Sequence, residues 1–298
     1  MRPLDGVLVV DLTRYLPGPF ASRELLRLGA RVVRIEPPGG DPMREVAPAW
    51  HEALNEGKES VICDLKSDSE RGRELCAQAD VVIESFRPGV ADRLGVGPAD
   101  LPDTVVYCSI TGFGLGGRHE QRVGHDLNYQ GWAGLLADTA PGLPPTQIAD
   151  LAAGSLSAVN RILAALLERE KTGRGSHVVV SMTHQTHELA AHRLGGDPTP
   201  KLLTGGLACY AIYPTADGRY LTVAALEHKF FARLCELLGR AELAERQFDP
   251  EAQSVLFETL GEIFSTKPLD AWLERFEDEE VCVGPVASLD EAAGEFGT

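Results

Sequence analysis

Long apolar runs are missing from this chain. Nowhere in its 298 residues do about 18 consecutive apolar residues occur, the length a membrane-spanning helix needs, so no membrane contact is expected. A signal-peptide core is missing as well. Met1-Arg2-Pro3-Leu4-Asp5-Gly6 leads straight into a strand-like run, and a cytoplasmic location is the expectation. The six cysteines, Cys63, Cys76, Cys108, Cys209, Cys235 and Cys282, form no C-x-x-C pair. Most sit inside apolar patterns and read as buried free thiols of a reducing compartment. Excess basic charge is absent too: the formal net charge is −16. Residues 241–298 carry −12 of it and the preceding 240 only −4. No nucleic-acid partner is expected without a basic face, but the N-terminal part can still build a local pocket for a small phosphorylated ligand.

What is present is an ordinary globular composition, 44% hydrophobic and 24% charged, which excludes disorder and low complexity. At roughly 150 residues per domain the length suits about two domains. Apolar runs at 7–12, 31–35, 60–65, 81–86, 104–110 and 177–182 read as strands. Helical spacing at 19–28, 68–79, 125–136 and 150–171 separates several of them. Such alternation predicts a parallel sheet with right-handed crossovers. Thr172-Gly173-Arg174-Gly175 should stop the long helix. After a linker at 191–207, holding the turn Gly195-Gly196-Asp197-Pro198, a second unit at 208–298 carries strands at 210–213 and 220–225. These flank the turn Ala216-Asp217-Gly218-Arg219. Helices at 229–238, 252–264 and 269–276 follow, then a short strand at 281–286. The fold class is thus α/β: a Rossmann-like parallel sheet flanked by helices in a large domain, 1–190, plus a smaller α+β domain.

Two motifs fail on inspection. Gly112-Phe113-Gly114-Leu115-Gly116-Gly117 matches G-x-G-x-x-G, yet no apolar periodicity follows to open the helix a dinucleotide site requires. His187 and His192 are five residues apart, roughly 140° around a helix, unlike the i, i+4 pair of H-E-x-x-H. His184 could share a face with His187, but no complete ligand set is present, so no metal is expected. A G-x-S-x-G elbow and a G-x-x-x-x-G-K-[ST] loop are lacking.

Gly124-His125-Asp126-Leu127-Asn128-Tyr129 is more telling, together with Ile148-Ala149-Asp150 at the start of the long helix. By itself His125 could be a polar helix-start residue and Asp150 a helix N-cap. In context the sequence resembles the family III CoA-transferase (CaiB/BaiF) superfamily, and within it the α-methylacyl-CoA racemase branch. The likeness runs through Pro3-Leu4-Asp5-Gly6-Val7, Pro17-Gly18-Pro19, Cys63-Asp64-Leu65-Lys66-Ser67 and Val82-Ile83-Glu84-Ser85-Phe86-Arg87-Pro88-Gly89. It continues in Thr111-Gly112-Phe113-Gly114, the Gly124–Tyr129 segment and Thr172-Gly173-Arg174-Gly175, and reaches Ala216-Asp217-Gly218-Arg219-Tyr220 and Glu227. The sequence ends short of the family's usual length.

The resemblance implies a function and its residues. Asp150 matches an aspartate that is the nucleophile in the transferases. The intact G-H-D-x-N-Y segment adds His125 as the second acid/base of a racemase. That activity would interconvert (R)- and (S)-2-methylacyl-CoA by removing and returning the α-proton on opposite faces of one carbon. Histidine suits this near neutral pH, and a carboxylate suits it when its surroundings tune its pKa. Backbone N–H groups at the start of the Asp150 helix would face the enolate oxygen, and Glu227 would support the histidine. The coenzyme A part of the substrate would bind through Tyr15, Cys63, Asp64, Leu65, Lys66, Arg87, Arg93, Gly124 and Tyr129. Of these, Cys63 to Lys66 would border the adenosine and the arginines would meet phosphates. Some members carry an arginine just after the second strand's acid, where this sequence has Pro37-Pro38. No separate cofactor is expected, and an interlocked homodimer is. The alternatives are a CoA-transferase with Asp150 as nucleophile and a silent CoA-thioester-binding homologue.

Overall fold

The computed structural model of the chain describes residues 2–137, 139–191 and 202–297. They fall into two compact units, Met1–His192 and Arg193–Thr298. In the first, β1 (Leu8–Asp11), β2 (Arg31–Glu36), β3 (Glu59–Ile62), β4 (Val81–Glu84), β5 (Val106–Thr111) and β6 (His177–Ser181) make one sheet. Its order is β3-β2-β1-β4-β5-β6, with every neighbouring pair parallel. Every residue of β4 and β5 is buried, as strands covered on both faces must be. The chain winds outward from β1 through β2 to β3, then returns to β4 on the other side of β1. That reversal is the topological switch point, where a doubly wound sheet opens a crevice beyond its carboxyl ends.

Helices cover both faces. α1 (Pro17–Arg27) and α7 (Ser157–Thr172) pack Leu25, Ile162 and Leu166 on Val9, Val32, Ile83 and Cys108. On the opposite face, Cys76 of α4 (Ser69–Ala77) meets Val10, Ile35, Val82 and Tyr107. Neighbours such as Val9 and Val10 serve opposite layers because strand side chains alternate. Gly173 ends α7 at φ +72°, its N–H donating to the Arg169 carbonyl at 2.7 Å. With the π-helix that precedes it (Ala149–Leu156), α7 forms one continuous helix, Ala149–Thr172, long and apolar enough to cross a membrane. A search for an unbroken apolar run passes over it because Asp150 and Arg161 interrupt the sequence. In this unit its inner residues, Ile162, Ala165 and Leu166, belong to the core.

A buried ion cluster supports the edge of the sheet. Arg34 of β2 is only 1% exposed. It donates to Glu36 at 3.0 Å and to Asp41 at 2.6 Å, and lies 3.1 Å from the His51 ring. Arg44 and Ser60 also donate to Glu36, both at 2.7 Å. Burial works against the Glu36 charge, but these donors hold its pKa below the ordinary value. The cluster pins two short helices, α2 (Met43–Val46) and α3 (Pro48–Asn55), and holds Pro37-Pro38, which lie between Glu36 and Asp41. Both helices, like α5 (Val90–Arg93), are too short to leave a periodic signal in sequence. α6 (Asp126–Trp132) and α8 (Met182–Leu189) complete the unit.

The second unit is a three-stranded antiparallel sheet, β7 (Tyr210–Pro214), β8 (Tyr220–Ala224) and β9 (Val283–Pro285). α9 (His228–Leu237), α10 (Gln253–Phe264) and α11 (Leu269–Phe276) share a core of Tyr213, Leu221, Phe231, Phe264 and Trp272. Gly218 supplies the positive φ, +76°, of the β7–β8 turn. α12 (Leu289–Phe296) was not foreseen. Its signal was there: Ser288 and Glu291 form a reciprocal capping box of the S-x-x-E type. Within the expected linker, residues 192–201, with His192 and the 195–198 turn, lie outside the described residues.

Candidate active site

A cleft of about 700 Å³ opens at the switch point, a volume suited to a cofactor-sized ligand. Four strand ends build it. Beyond β1 stand Leu12, Arg14 and Tyr15; at the end of β2, Ile35, Pro37 and Pro38; beyond β3, Cys63 to Lys66; beyond β4, Ser85 and Phe86. Tyr15, Cys63, Asp64, Leu65 and Lys66 are thus brought together. Arg87 and Arg93 are not in this lining. Both are exposed, Arg87 on the loop after β4 and Arg93 at the end of α5.

The loops are held from beneath. Asp11 at the end of β1 is fully buried and accepts from Thr13 N–H at 2.8 Å, and from the Thr13 and Ser22 hydroxyls. Lys58 stands 3.8 Å away, its pKa pushed down by burial to about 8. This anchorage turns Arg14 and Tyr15 outward, with Tyr15 in the left-handed region at φ +68°, a conformation a non-glycine residue adopts only when its surroundings impose it. Gly18 is obligatory here, since a Cβ would lie 2.1 Å from Thr13. Asp64 accepts from Lys66 N–H at 3.1 Å and the Ser67 hydroxyl at 2.8 Å. It shapes its own loop, and the Ser67 bond foremost holds its pKa low. Burial raises the Cys63 thiol, which fits a wall residue and not a nucleophile. Two further residues escaped the sequence reading. Arg14 is half-buried in the wall and makes no ion pair among the described residues. Glu84, with its pKa pushed up by burial to about 7, receives the Phe86 N–H at 2.7 Å and so sets the β4 turn.

The expected acid/base pair is joined by a third residue. His125 is the N-cap of α6; its own N–H donates to Asn128 Oδ1 at 3.1 Å, and its ring is exposed. The next residue, Asp126, is buried. It accepts from Gln130 Nε2 at 2.5 Å and, through Oδ1, from the backbone N–H of Asp150 at 3.0 Å. One hydrogen bond therefore ties the His125 segment to the Asp150 segment across 24 residues of chain. Asp150 is not an N-cap, contrary to expectation. Ile148 occupies that position, and Asp150 lies in the first turn of the π-helix, a geometry frequent at functional sites. The expected enolate donors are also revised: the Asp150 N–H is taken by Asp126 and the Leu151 N–H by the Gln147 carbonyl at 2.9 Å. What remains free is the Asp150 carboxyl, half-buried and without a hydrogen-bond partner among the described residues. Burial first, and then the Asp126 charge, push its pKa up to about 7. Ser155 Oγ lies 2.6 Å from the Pro17 carbonyl and 2.8 Å from that of Asp150, linking the π-helix to the start of α1 and the Tyr15 loop.

Replacing Asp126 by Asn removes the charge and keeps an acceptor for the Asp150 N–H. The pKa of Asp150 then falls, and any rate limb that depends on ionised Asp150 moves to lower pH by on the order of one unit. A pH–rate profile of the variant checks this; an unmoved limb would show that Asp126 does not tune its neighbour.

The other expected residues have plainer places. Tyr129 is 7% exposed and packs edge-on against Phe113 at 5.4 Å, donating to the Gly124 carbonyl at 2.5 Å. A Cβ on Gly124 would lie 2.9 Å from its ring. Neither Gly124 nor Tyr129 is in the cleft lining; the glycine makes room for the ring. Glu227, in the second unit, is the exposed N-cap of α9. His184 bonds the Ser181 hydroxyl at 2.7 Å and His187 donates to the Ala133 carbonyl at 2.9 Å. Among the described residues no three His, Cys, Asp or Glu side chains are grouped to hold a metal.

A doubly wound α/β unit with a cleft at its switch point, and a raised carboxyl beside a histidine segment, defines a ligand-binding protein of enzyme type. The chain belongs to CoA-transferase family III, whose model matches residues 4–295. It is 32% identical to human alpha-methylacyl-CoA racemase over 97% of this chain and 78% of that one. It is 33% identical to acetyl-CoA:oxalate CoA-transferase of Acetobacter aceti, over 98% and 82%. Among solved structures, Rv3272 from M. tuberculosis superposes with a TM-score of 0.85 at 30% identity, covering 98% of this chain and 85% of that one. Racemases and transferases thus stand at similar distance.

Proposed function

We propose that this protein is an acyl-CoA racemase that interconverts (R)- and (S)-2-methylacyl-CoA thioesters through His125 and Asp150. The observation that carries the reading is the Asp126 bridge. It brings the histidine segment and the Asp150 segment together, and the Asp126 charge adds to burial, the larger cause, in pushing the Asp150 pKa up to about 7. A racemase needs such a group, since it must give a proton in one direction and take it in the other. For the S enantiomer, neutral His125 takes the α-proton and the protonated Asp150 carboxyl returns one to the opposite face. The bond to hydrogen breaks on one side of the carbon and forms on the other, with an enolate between. For the R enantiomer the roles reverse. The cleft would hold the coenzyme A portion, with Lys66, Arg14, Arg87 and Arg93 as candidate partners for its phosphates.

A CoA-transferase is the second reading, supported by the similarity to the Acetobacter aceti enzyme. In it the Asp150 carboxylate attacks the thioester, giving an anhydride and then an enzyme–CoA thioester. A nucleophile must be ionised, which a carboxyl with a pKa raised to about 7 is only in part at neutral pH.

Incubation with (S)-2-methylacyl-CoA in deuterated water separates the two. Loss of the α-proton signal by NMR, slowed by His125→Ala at least about 100-fold, is the expected result. Absence of exchange in a protein that binds coenzyme A would overturn the racemase reading and favour acyl transfer.

A further inference from the structure

Beside the acid/base pair lies a cluster of aromatic and cationic side chains with no part in the reaction described above. Trp132, the last residue of α6, is 49% exposed. The His119 ring sits 4.7 Å from it, Phe113 closes its inner edge at 6.2 Å, and the Arg122 guanidinium stacks on it at 4.7 Å. Arg118 Nε donates to His119 Nε2 at 2.9 Å, so that nitrogen is an acceptor and the ring is neutral. Neither arginine is paired with a carboxylate among the described residues. Glu120, between them, instead receives the Gly116 N–H at 3.1 Å. Leu127 and Val123 add exposed apolar surface, 44% and 61%.

We propose that this cluster is a subsite for the far end of the acyl group, and that it selects a chain tipped by a carboxylate. The proposal rests on the acyl-CoA reading above and names its substrate class. Position supports it. Arg122 precedes His125 by three residues, and Trp132 ends the same seven-residue helix, about 10 Å along at 1.5 Å per residue. Ser155 ties the π-helix that carries Asp150 to Pro17, two residues past Tyr15 of the cleft wall, whereas the cluster stands on α6 and the loop before it. Chemistry supports it too. The apolar surface suits methylene groups. A guanidinium stacked on an indole is already oriented, and its free edge offers two parallel donors to a carboxylate.

Any anion could meet these arginines, including a phosphate of coenzyme A, so the test separates the sources. Calorimetry is run with coenzyme A and with two 2-methyl-branched thioesters of equal length, one ending in a methyl group and one in a carboxylate. The native protein should bind the carboxylate-tipped thioester about tenfold more tightly. Arg122→Gln should remove that preference, and Arg122→Lys should retain part of it. Equal weakening of all three ligands by Arg122→Gln would assign the cluster to coenzyme A and overturn the proposal. So would the absence of any preference in the native protein. Deuterium exchange is followed on the same samples: preference without exchange would sink the racemase reading and leave the subsite standing.

Discussion

Replacing Asp150 by Asn should abolish racemisation and α-proton exchange from the R enantiomer and, in the same variant, make the protein harder to unfold at pH 8. Loss of an acid/base group costs about 100- to 10,000-fold in rate. The stability gain follows from linkage. In the folded protein the Asp150 carboxyl has its pKa raised to about 7 from the ordinary 3.8, by burial and by Asp126. Between those two values the folded state holds more protons than the unfolded chain, so stability falls as pH rises through that window. The full penalty applies above about pH 7. Three units of difference correspond to about 4 kcal/mol at most, and partial solvation of the group reduces this to about 2–4 kcal/mol. Asn carries no charge and escapes the penalty. Urea unfolding of both proteins at pH 4 and pH 8 is the check, with near-equal stability expected at pH 4 and a clear gain for the variant at pH 8. A variant no more stable at pH 8 would mean that the site does not strain its own carboxyl.

The second large effect lies away from the chemistry. Arg34→Met should destabilise the first unit by about 3–5 kcal/mol, the usual cost of breaking a buried ion pair from one side. Glu36 and Asp41, with side chains 3% and 2% exposed, would keep their charges and lose their shared partner. Arg44 could answer only for Glu36. Because Pro37 and Pro38 lie between those carboxylates and form part of the cleft wall, affinity for coenzyme A should fall as well. Restoring neutrality should recover much of the loss, so the deficit ought to shrink in acid as the carboxylates take up protons. Equal unfolding midpoints for native protein and variant at pH 7 would disprove the role given to this cluster.

Much of the fold could be read along the chain. The six strand runs of the first unit, the long helix with its Gly173 stop, and the hairpin around Gly218 each carry local signals, because the burial of the central strands and positive-φ turns constrain the residues at those positions directly. Short helices such as α2 and α5 left no such mark, since one turn of helix shows no period. The site divides in the same way. The segment Gly124 to Tyr129 and the Cys63 to Lys66 loop are contiguous, and their resemblance to a family is legible in order and spacing. The places of Gly124 and Tyr129 were not, because a packed ring and a cleft wall call for similar residues.

By itself the sequence determined which chemical groups are available: a histidine, two aspartates, the cations Lys66, Arg87 and Arg93 after two of the strand runs, and an alternation that predicts a parallel sheet. The tertiary structure decided what those groups do. Asp126 is unremarked as a letter beside His125, and becomes the link to Asp150 only when the N–H of a residue 24 positions away reaches its carboxylate. Asp150 reads as a helix cap until the π-helix places Ile148 there and leaves the carboxyl free. Its raised pKa has the same origin, since burial and a neighbouring charge belong to the space around a residue and not to its position in the chain.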